Sequence, residues 1–508
     1  MHYHFATMGK RQMRRLCFVG ATLFFLLCVS VAGAESFERG VCKVGGKIVE
    51  AIPVDLNGDK LLDLVVSYAK GVEPAAVPRL AIFLATPQGY SASPNIDLAV
   101  PADTCLFDVA DLDLDGQAEL ILFRKWKVQA IAIADAQAGE PVTILKRGSG
   151  VLFPPYDGEL PYEDLVRDWS GDGSVALVLP DYGRLIFFRP NQEEELAQAE
   201  VVNAPVRGWI ATQGTDPPGQ RNYQVHSGTR LPAIFLGPPR EESSDLVFTY
   251  REELWFHRGQ GGRFAKRGKR FYLPILSEDE RRRRNMNLLT LVDDLDGDGK
   301  PDAILNKFGG SLTNFRSKIN IYSGIIGGFS NKPAYELQQS GYTSMLRFWD
   351  VDGDGKKEMG MLYADIGLMQ IARMLLSKKV KVSFKVFRCR DAVGAQMYAP
   401  DADLERQVTY HFDTDSTNAI VGFTPSFDGD FDGDGRPDLF MSYSNGFGAW
   451  RNNGQMNFSS EPFITADLVP SITYRLKDLN GDRRCDLFLW DSLNPQRQGT
   501  LEVLFNRR

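Results

Sequence analysis

The sequence predicts an all-β chain, a β-propeller of eight four-stranded blades, on three observations. One acidic phrase recurs eight times along the 508 residues, and six copies keep oxygen-bearing side chains at the first, third, fifth and ninth positions. The copies are evenly spaced: counted from the first position they start at 55, 111, 168, 237, 294, 350, 430 and 478, in steps of 56, 57, 69, 57, 56, 80 and 48 residues. Four of the seven steps agree to within one residue, which marks a true repeat. Each phrase runs at once into a short apolar strand. Short strands in regular series with Gly and Asn turns read as all-β, and a period near this length is that of a four-stranded propeller blade. No 3.6-residue periodicity crosses the units, which excludes a helical solenoid. Seven blades remain open if the fourth unit belongs to an insertion.

The first unit reads as a strand from Ile48 to Val54, the loop with Asp55, Asn57, Asp59 and Asp63, the strand Leu64-Val65-Val66, then Leu80 to Leu84 and Gly89-Tyr90. The second carries Asp111, Asp113, Asp115 and Glu119. The third keeps the turn through Asp168, Ser170 and Asp172 but has Ala176 at the ninth position. The fourth is legible only by its ending, Ser244-Asp245-Leu246-Val247-Phe248, which sets its phase at Gly237 with no ligand set before it. The fifth holds Asp294, Asp296, Asp298 and Asp302, and the sixth Asp350, Asp352, Asp354 and Glu358. The seventh, Asp430, Asp432, Asp434 and Asp438, leads into Leu439-Phe440-Met441, then Phe447 to Trp450 and Asn453-Gly454 before Phe458. The eighth has Asp478, Asn480, Asp482 and Asp486.

Carboxylates at alternate positions of a tight turn converge on one point and repel one another unless a hard cation sits there. Calcium is the expected occupant, because it accepts six to eight oxygens in flexible geometry, and the chain offers about six such sites. An EF-hand shares the opening of the phrase but needs a glutamate at position twelve and flanking helices. Here Met441 and Leu305 stand at that position, inside apolar runs.

The phrase D-x-D-G-D-G-x-x-D-hydrophobic, with Asn-x-x-Gly-x-Phe endings, resembles the FG-GAP and VCBS-type repeats, whose best-known members form the calcium-binding propeller of integrin α chains. The resemblance spans Val41 to Asn506. It implies cations in the loops between the first two strands of a blade, on one face of the disc. It also implies side-chain ligands at positions one, three, five and nine. Position seven would add a backbone carbonyl, which here means Leu61, Gln117, Lys300, Lys356, Arg436 and Arg484. Two departures stand out: units three and four look metal-poor, and Lys60 and Arg483 replace the glycine usual at position six.

Lys10, Arg11, Arg14 and Arg15 precede an apolar run from Leu16 to Val31 and then Ala32-Gly33-Ala34, the order of a secretory signal cleaved before Glu35. A retained membrane anchor is the alternative. Cleavage gives a signal peptide over 1–34, a propeller over 35–508, a secreted or periplasmic location and no membrane span in the mature chain. It also changes the basic-to-acidic balance from 58 against 65 to 54 against 65, a net of −11. The six loops hold 22 carboxylates and six Ca²⁺ add +12, so the acidity belongs to the metal sites and nucleic acid is not an expected partner. Cys42, Cys105, Cys389 and Cys485 survive cleavage. They form disulfides of open connectivity or stay as buried thiols, and an N-terminal strand closing the ring would bring Cys42 into the blade of Cys485.

Insertions are expected near 191–229 and 365–416. The first is polar, with Glu193-Glu194-Glu195 and Asp216-Pro217-Pro218-Gly219; in the second, 365–377 reads as helix or strand and 391–416 as a projecting loop. The run Ser277 to Arg284 reads as a self-paired, solvated loop. His226, His257 and His411 lie in separate units, and no nucleophile elbow, zinc helix, phosphate loop or C-x-x-C pair occurs. The expected function is a non-enzymatic binding, adhesion or scaffold module of the cell envelope that holds a protein partner there or in the extracellular matrix. A carbohydrate-binding propeller and a polysaccharide lyase or hydrolase are the alternatives.

Overall fold

The computed structural model describes residues 37–507 except 73–74, 135, 192–194, 215–222, 238–242, 284–285, 312–313, 365–375, 414–418, 470 and 472. The proposed signal segment, Asp216 to Gly219 and most of the 365–377 stretch therefore lie outside the described residues. Among the described residues no helix is long and apolar enough to cross a membrane.

Eight antiparallel sheets follow one another along the chain, seven of four strands and one, the sixth, extended to five. Blade 1 runs Lys47–Val54, Asp63–Lys70, Val77–Phe83 and Ile96–Ala99. The fourth unit is a blade in its own right, Ala233–Leu236, Leu246–Tyr250, Glu253–His257 and Lys269–Tyr272, which settles the count at eight. The last blade borrows its outer strand from the other end of the chain: Phe37–Lys43 pairs antiparallel with Thr500–Asn506, Phe37 opposite Asn506 and Lys43 opposite Thr500. Residues more than 400 apart in sequence thus close the ring by main-chain hydrogen bonds.

The second strand of each blade sits mid-sheet with its two faces against two neighbours, so it reads as a continuous apolar run rather than an alternating one. Successive side chains point to opposite faces. Leu64 and Val66 accordingly join one core cluster with Phe488, Trp490 and Val503 of blade 8, while Val65 joins another with Leu120 and Leu122 of blade 2. Every one of the eight blade contacts is filled in this way. The core is a ring of interfaces, and each fully buried Leu, Val or Phe adds about 1.5–3 kcal/mol.

The first strands line the centre of the ring. In blade 2 that strand, Thr104–Ala110, is buried almost throughout, because the linker from blade 2 to blade 3 lies along its free edge. Phe107 forms a parallel bridge with Tyr162, and the buried Asp108 accepts the Leu165 and Val166 N–H groups, each at 2.7 Å.

Three expectations about connections change. Leu196–Asn203, inside the first expected insertion, is the outer strand of blade 3; the remainder is a separate hairpin of Arg207–Gly214 and Tyr223–Arg230. The segment expected to project from 391 does not: Met397 and Tyr398 are buried against blade 5, and Leu404–Asp413 is the fourth strand of blade 6. Two apolar anchors in a polar run are enough to lay it down. The arginine run forms a short helix, Glu278–Arg283, instead of a loop. Ser277 and Glu280 make a reciprocal capping box at its start (3.2 and 2.7 Å), and Arg282–Glu278 and Arg283–Asp279 pair along its face. Among the described residues Cys42, Cys105, Cys389 and Cys485 are buried free thiols, with Cys42 and Cys485 in the same blade.

Candidate metal centre

All the acidic loops connect the first and second strands of a blade, and strand direction alternates within every sheet, so the loops share one face of the ring. Neighbouring loops are tied together there. The Leu62 N–H donates to the Leu479 carbonyl at 3.2 Å, Lys357 to Leu295 at 2.9 Å, Cys485 to Asp430 at 2.6 Å and Ser244 to Ser170 at 2.7 Å.

One hydrogen-bond pattern builds each loop. The first-position carboxylate accepts N–H groups from positions four and six, and for Asp430 these are Gly433 and Gly435, both at 2.7 Å; in blade 2 Asp111 instead accepts from Asp115 at position five (3.1 Å) and Gly116 at position six (2.9 Å). The fifth-position carboxylate accepts from position seven, as Asp434 does from Arg436 at 2.9 Å. Positions four and six take positive φ, +79° at Gly433 and +89° at Gly435, which is why glycine is favoured at both. Lys60 and Arg483 keep the same turn at φ +70° without glycine, and Leu114 does so at position four with φ +62°.

The ninth-position acid is of another kind, being the first residue of the second strand. It is buried in five of the six intact loops, at Asp63, Asp302, Glu358, Asp438 and Asp486. In each of these, one oxygen accepts the N–H of position two, and the other accepts an N–H from the far end of the third strand. For Asp438 the donors are Phe431 at 2.9 Å and Asn452 at 2.8 Å; for Asp302, Leu295 at 3.0 Å and Gly324 at 2.7 Å; for Asp486, Leu479 at 2.9 Å and Asn506 at 2.7 Å. Asn452 and Asn506 then reach the preceding blade, their side-chain amides donating to the carbonyls of Val351 at 2.6 Å and Phe431 at 2.7 Å. Sequence reasoning passed over both asparagines. The signal was available, since each follows the third strand, in Trp450-Arg-Asn452 and Leu504-Phe-Asn506.

Ligand atoms approach one another within 4.8 Å in four loops: Asp294, Asp296 and Asp302; Asp350, Asp352 and Glu358; Asp430, Asp432 and Asp438; and Asp111, Asp113 and Asp115. In blades 5, 6 and 7 the triplet is thus positions one, three and nine, with Asp298, Asp354 and Asp434 outside it; in blade 2 it omits Glu119. Blades 1 and 8 have asparagine at position three, and Asn57 and Asn480 donate to the fifth-position Asp59 at 3.1 Å and Asp482 at 3.2 Å.

Burial pushes the ninth-position carboxyls up, to about 6 for Asp63 and about 7 for Glu119, Asp302, Glu358, Asp438 and Asp486, and the other loop acids push further in the same direction. Burial also raises Asp294 and Asp352. The Asp352 Oδ1 atom is buried without a hydrogen-bond partner. An all-oxygen donor set with an orphaned carboxylate oxygen fits a hard divalent cation. Arg451 beside Asp432, Lys300 beside Asp298 and Arg388 at 3.4 Å from Asp352 bring positive charge to the same acids.

Blades 3 and 4 differ instructively. In the third loop the Arg189 guanidinium reaches the position-seven side chain, donating to Ser174 Oγ at 2.6 Å, and lies at 3.5 Å from Ser170 Oγ at position three. It also donates to the Gly262 carbonyl at 2.8 Å and pairs with Glu200 at 3.6 Å. A fixed cation of the chain thus stands among the loop's would-be ligand positions. In blade 4 the ligand set is gone, yet Asp245 at position nine still accepts the Gly259 N–H at 3.1 Å.

His226, His257 and His411 are not brought together. His257 is buried, its Nδ1 2.7 Å from the Ala265 carbonyl and its pKa lowered by burial. His411 lies in the fourth strand of blade 6 and His226 in the hairpin.

Residues 430–489 match the FG-GAP-like repeat family. No curated protein matches the chain. Among solved structures, it is similar to an Agrocybe aegerita lectin that recognises non-reducing terminal N-acetylglucosamine, at 13% identity over 90% of this chain and 85% of that one, with a TM-score of 0.38. A second is the V. cholerae biofilm matrix protein Bap1, at 12% identity over 92% and 88%, with a TM-score of 0.30. A third is a putative 6-phosphogluconolactonase from Bacteroides uniformis, at 11% identity over 77% and 93%, also with a TM-score of 0.30. Likeness at this level carries no argument about function.

Proposed function

From an eight-bladed propeller carrying an FG-GAP-like repeat, we propose an exported, non-enzymatic binding module of the cell envelope, stiffened by calcium on one face and holding a protein partner on the other. The supporting observation is where the chain departs from its repeat. The hairpin of Arg207–Gly214 and Tyr223–Arg230 belongs to no blade sheet. It interrupts the linker from the outer strand of blade 3 to the first strand of blade 4, which places it opposite the acidic loops. The base of the hairpin is bonded to the Tyr182-Gly183 turn, where Ala204 N–H donates to the Gly183 carbonyl at 3.0 Å, and Tyr182 is 61% exposed beside it. Connections of this sort on a rigid scaffold commonly carry recognition. Export rests on the basic, apolar and small-residue order of the first 34 residues. The absence of turnover rests on acids committed to loops and on scattered histidines.

The test is replacement of 207–230 by a short turn, followed by capture from an envelope extract with the calcium-loaded protein as bait. The shortened protein should fold, take up calcium normally and lose its partner. Full-strength capture by a folded, shortened protein would overturn the reading.

A further inference from the structure

The centre of the ring is filled beside blade 2 by the linker that carries Tyr162, but between the first strands of blades 6, 7 and 8 it opens into a cavity of about 380 Å³. Its lining lies apart from the metal loops. Two arginines stand on it, Arg347 from blade 6 and Arg475 from blade 8, each about half exposed. Arg347 donates to Asp428 at 2.8 Å and Arg475 to Glu50 at 3.0 Å. A guanidinium has five N–H donors, so each retains capacity for a second partner. Asp428 is fixed from its other oxygen by the Trp349 indole N–H at 2.7 Å.

Ser426 is the sharper observation. It lines the cavity at 2% exposure, and its Oγ has no hydrogen-bond partner. Leaving a buried hydroxyl unpaired is unfavourable, and such a group is a ready contact for a bound hydroxyl. The backbone around it is irregular too. The first strands of blades 6 and 7 both shift register here, between Ser344 and Arg347 and between Ser426 and Gly429, and Met345 on the cavity wall takes φ +54°. Bulges and strained non-glycine residues re-aim side chains and gather at binding sites.

We propose that this cavity binds a small hydroxylated carboxylate of monosaccharide size, the class to which uronic acids belong. The ligand carboxylate lies between Arg347 and Arg475, a geometry that guanidinium groups favour. Its hydroxyls meet Ser426 Oγ and the acceptor oxygens of Asp428. A dianion such as phosphate is disfavoured, because Asp428 and Glu50 already balance the two arginines. A neutral sugar offers the remaining guanidinium donors no charged acceptor. This site is independent of the partner face proposed above, and either can fail without the other.

The experiment is calorimetric titration of the full, calcium-loaded chain with glucuronate, glucose and inorganic phosphate. Glucuronate should bind about tenfold or more tightly than either control, as the loss of one charge-assisted contact implies. Arg475→Gln should weaken it by a similar factor, Arg475→Lys by less, and Ser426→Ala by a few fold, in proteins that still fold and take up calcium as the parent chain does. If Arg475→Gln fails to fold, Ser426→Ala decides the matter. The proposal is overturned by no glucuronate binding, by glucuronate binding no better than phosphate or glucose, or by folded variants that bind as tightly as the parent chain.

Discussion

Asp434 and Asp438 lie four residues apart in one loop and do different work. Asp434 accepts one N–H within the turn, whereas Asp438 is buried and accepts two, one from its own loop and one from the third strand. Asp434→Ala should therefore lower calcium stoichiometry by about one and change stability little in chelator. Asp438→Ala orphans two buried donors, at about 1–3 kcal/mol each, and should destabilise the protein with or without calcium. Denaturant unfolding in both conditions separates the two, and equal losses in chelator would show that the ninth residue is only a ligand. Lys60 and Arg483 offer the reverse test. Both hold φ +70°, so glycine at either position should raise stability, by at most about 1 kcal/mol after its own entropic cost. Reduced stability in both variants would mean that the side chains, not the turn, fix these loops.

At the scale of the element, blade 3 shows what a loop does when it has lost its last acid. Arg189 stands among Ser170 and Ser174 and should hold the turn without a metal. Arg189→Gln is expected to destabilise the protein by about 1–3 kcal/mol, through the partly buried Glu200 left facing it, while bound calcium stays constant. Asp172→Ala should likewise leave the calcium count unchanged. Loss of one ion from either variant would make blade 3 a metal site after all.

The period, the loops and the strands after them were legible because each blade needs one apolar run buried on both faces and one tight turn with two left-handed positions. The fourth blade was barely legible, since only Asp245 and its strand kept the pattern, and the outer strands Leu196–Asn203 and Leu404–Asp413 were hidden by polar composition. An outer strand packs on fewer neighbours and tolerates polar residues, so composition alone reads it as loop. Arg189 could not be found at all. It lies fifteen residues beyond Ser174, and only the folding of blade 3 brings the two together.

At the scale of the whole molecule, the six ninth-position acids make stability depend on pH and calcium together. In the unfolded chain these groups titrate near 4. In the cation-free fold, burial holds five of them at about 7 and Asp63 at about 6. The fold then binds protons more tightly than the unfolded chain does, so their contribution is full below about pH 4 and is lost as pH rises through about 7. Calcium, as proposed above, would bind the ionised acids, and its stabilisation should grow across the same window. The melting-temperature difference between calcium and chelator should be small at pH 5 and large at pH 8. A difference that stays constant over that range would contradict the link between burial and metal.

On the reading proposed here, calcium completes the face of the ring that carries the acidic loops. The most direct measurement is thermal unfolding of the full chain at pH 7.5, in calcium and in excess chelator, with bound metal counted in each sample. About six ions in the first state and a clearly lower melting temperature in the second are the expected result. An identical melt after demonstrated metal removal, or no bound calcium at millimolar concentration, would contradict it.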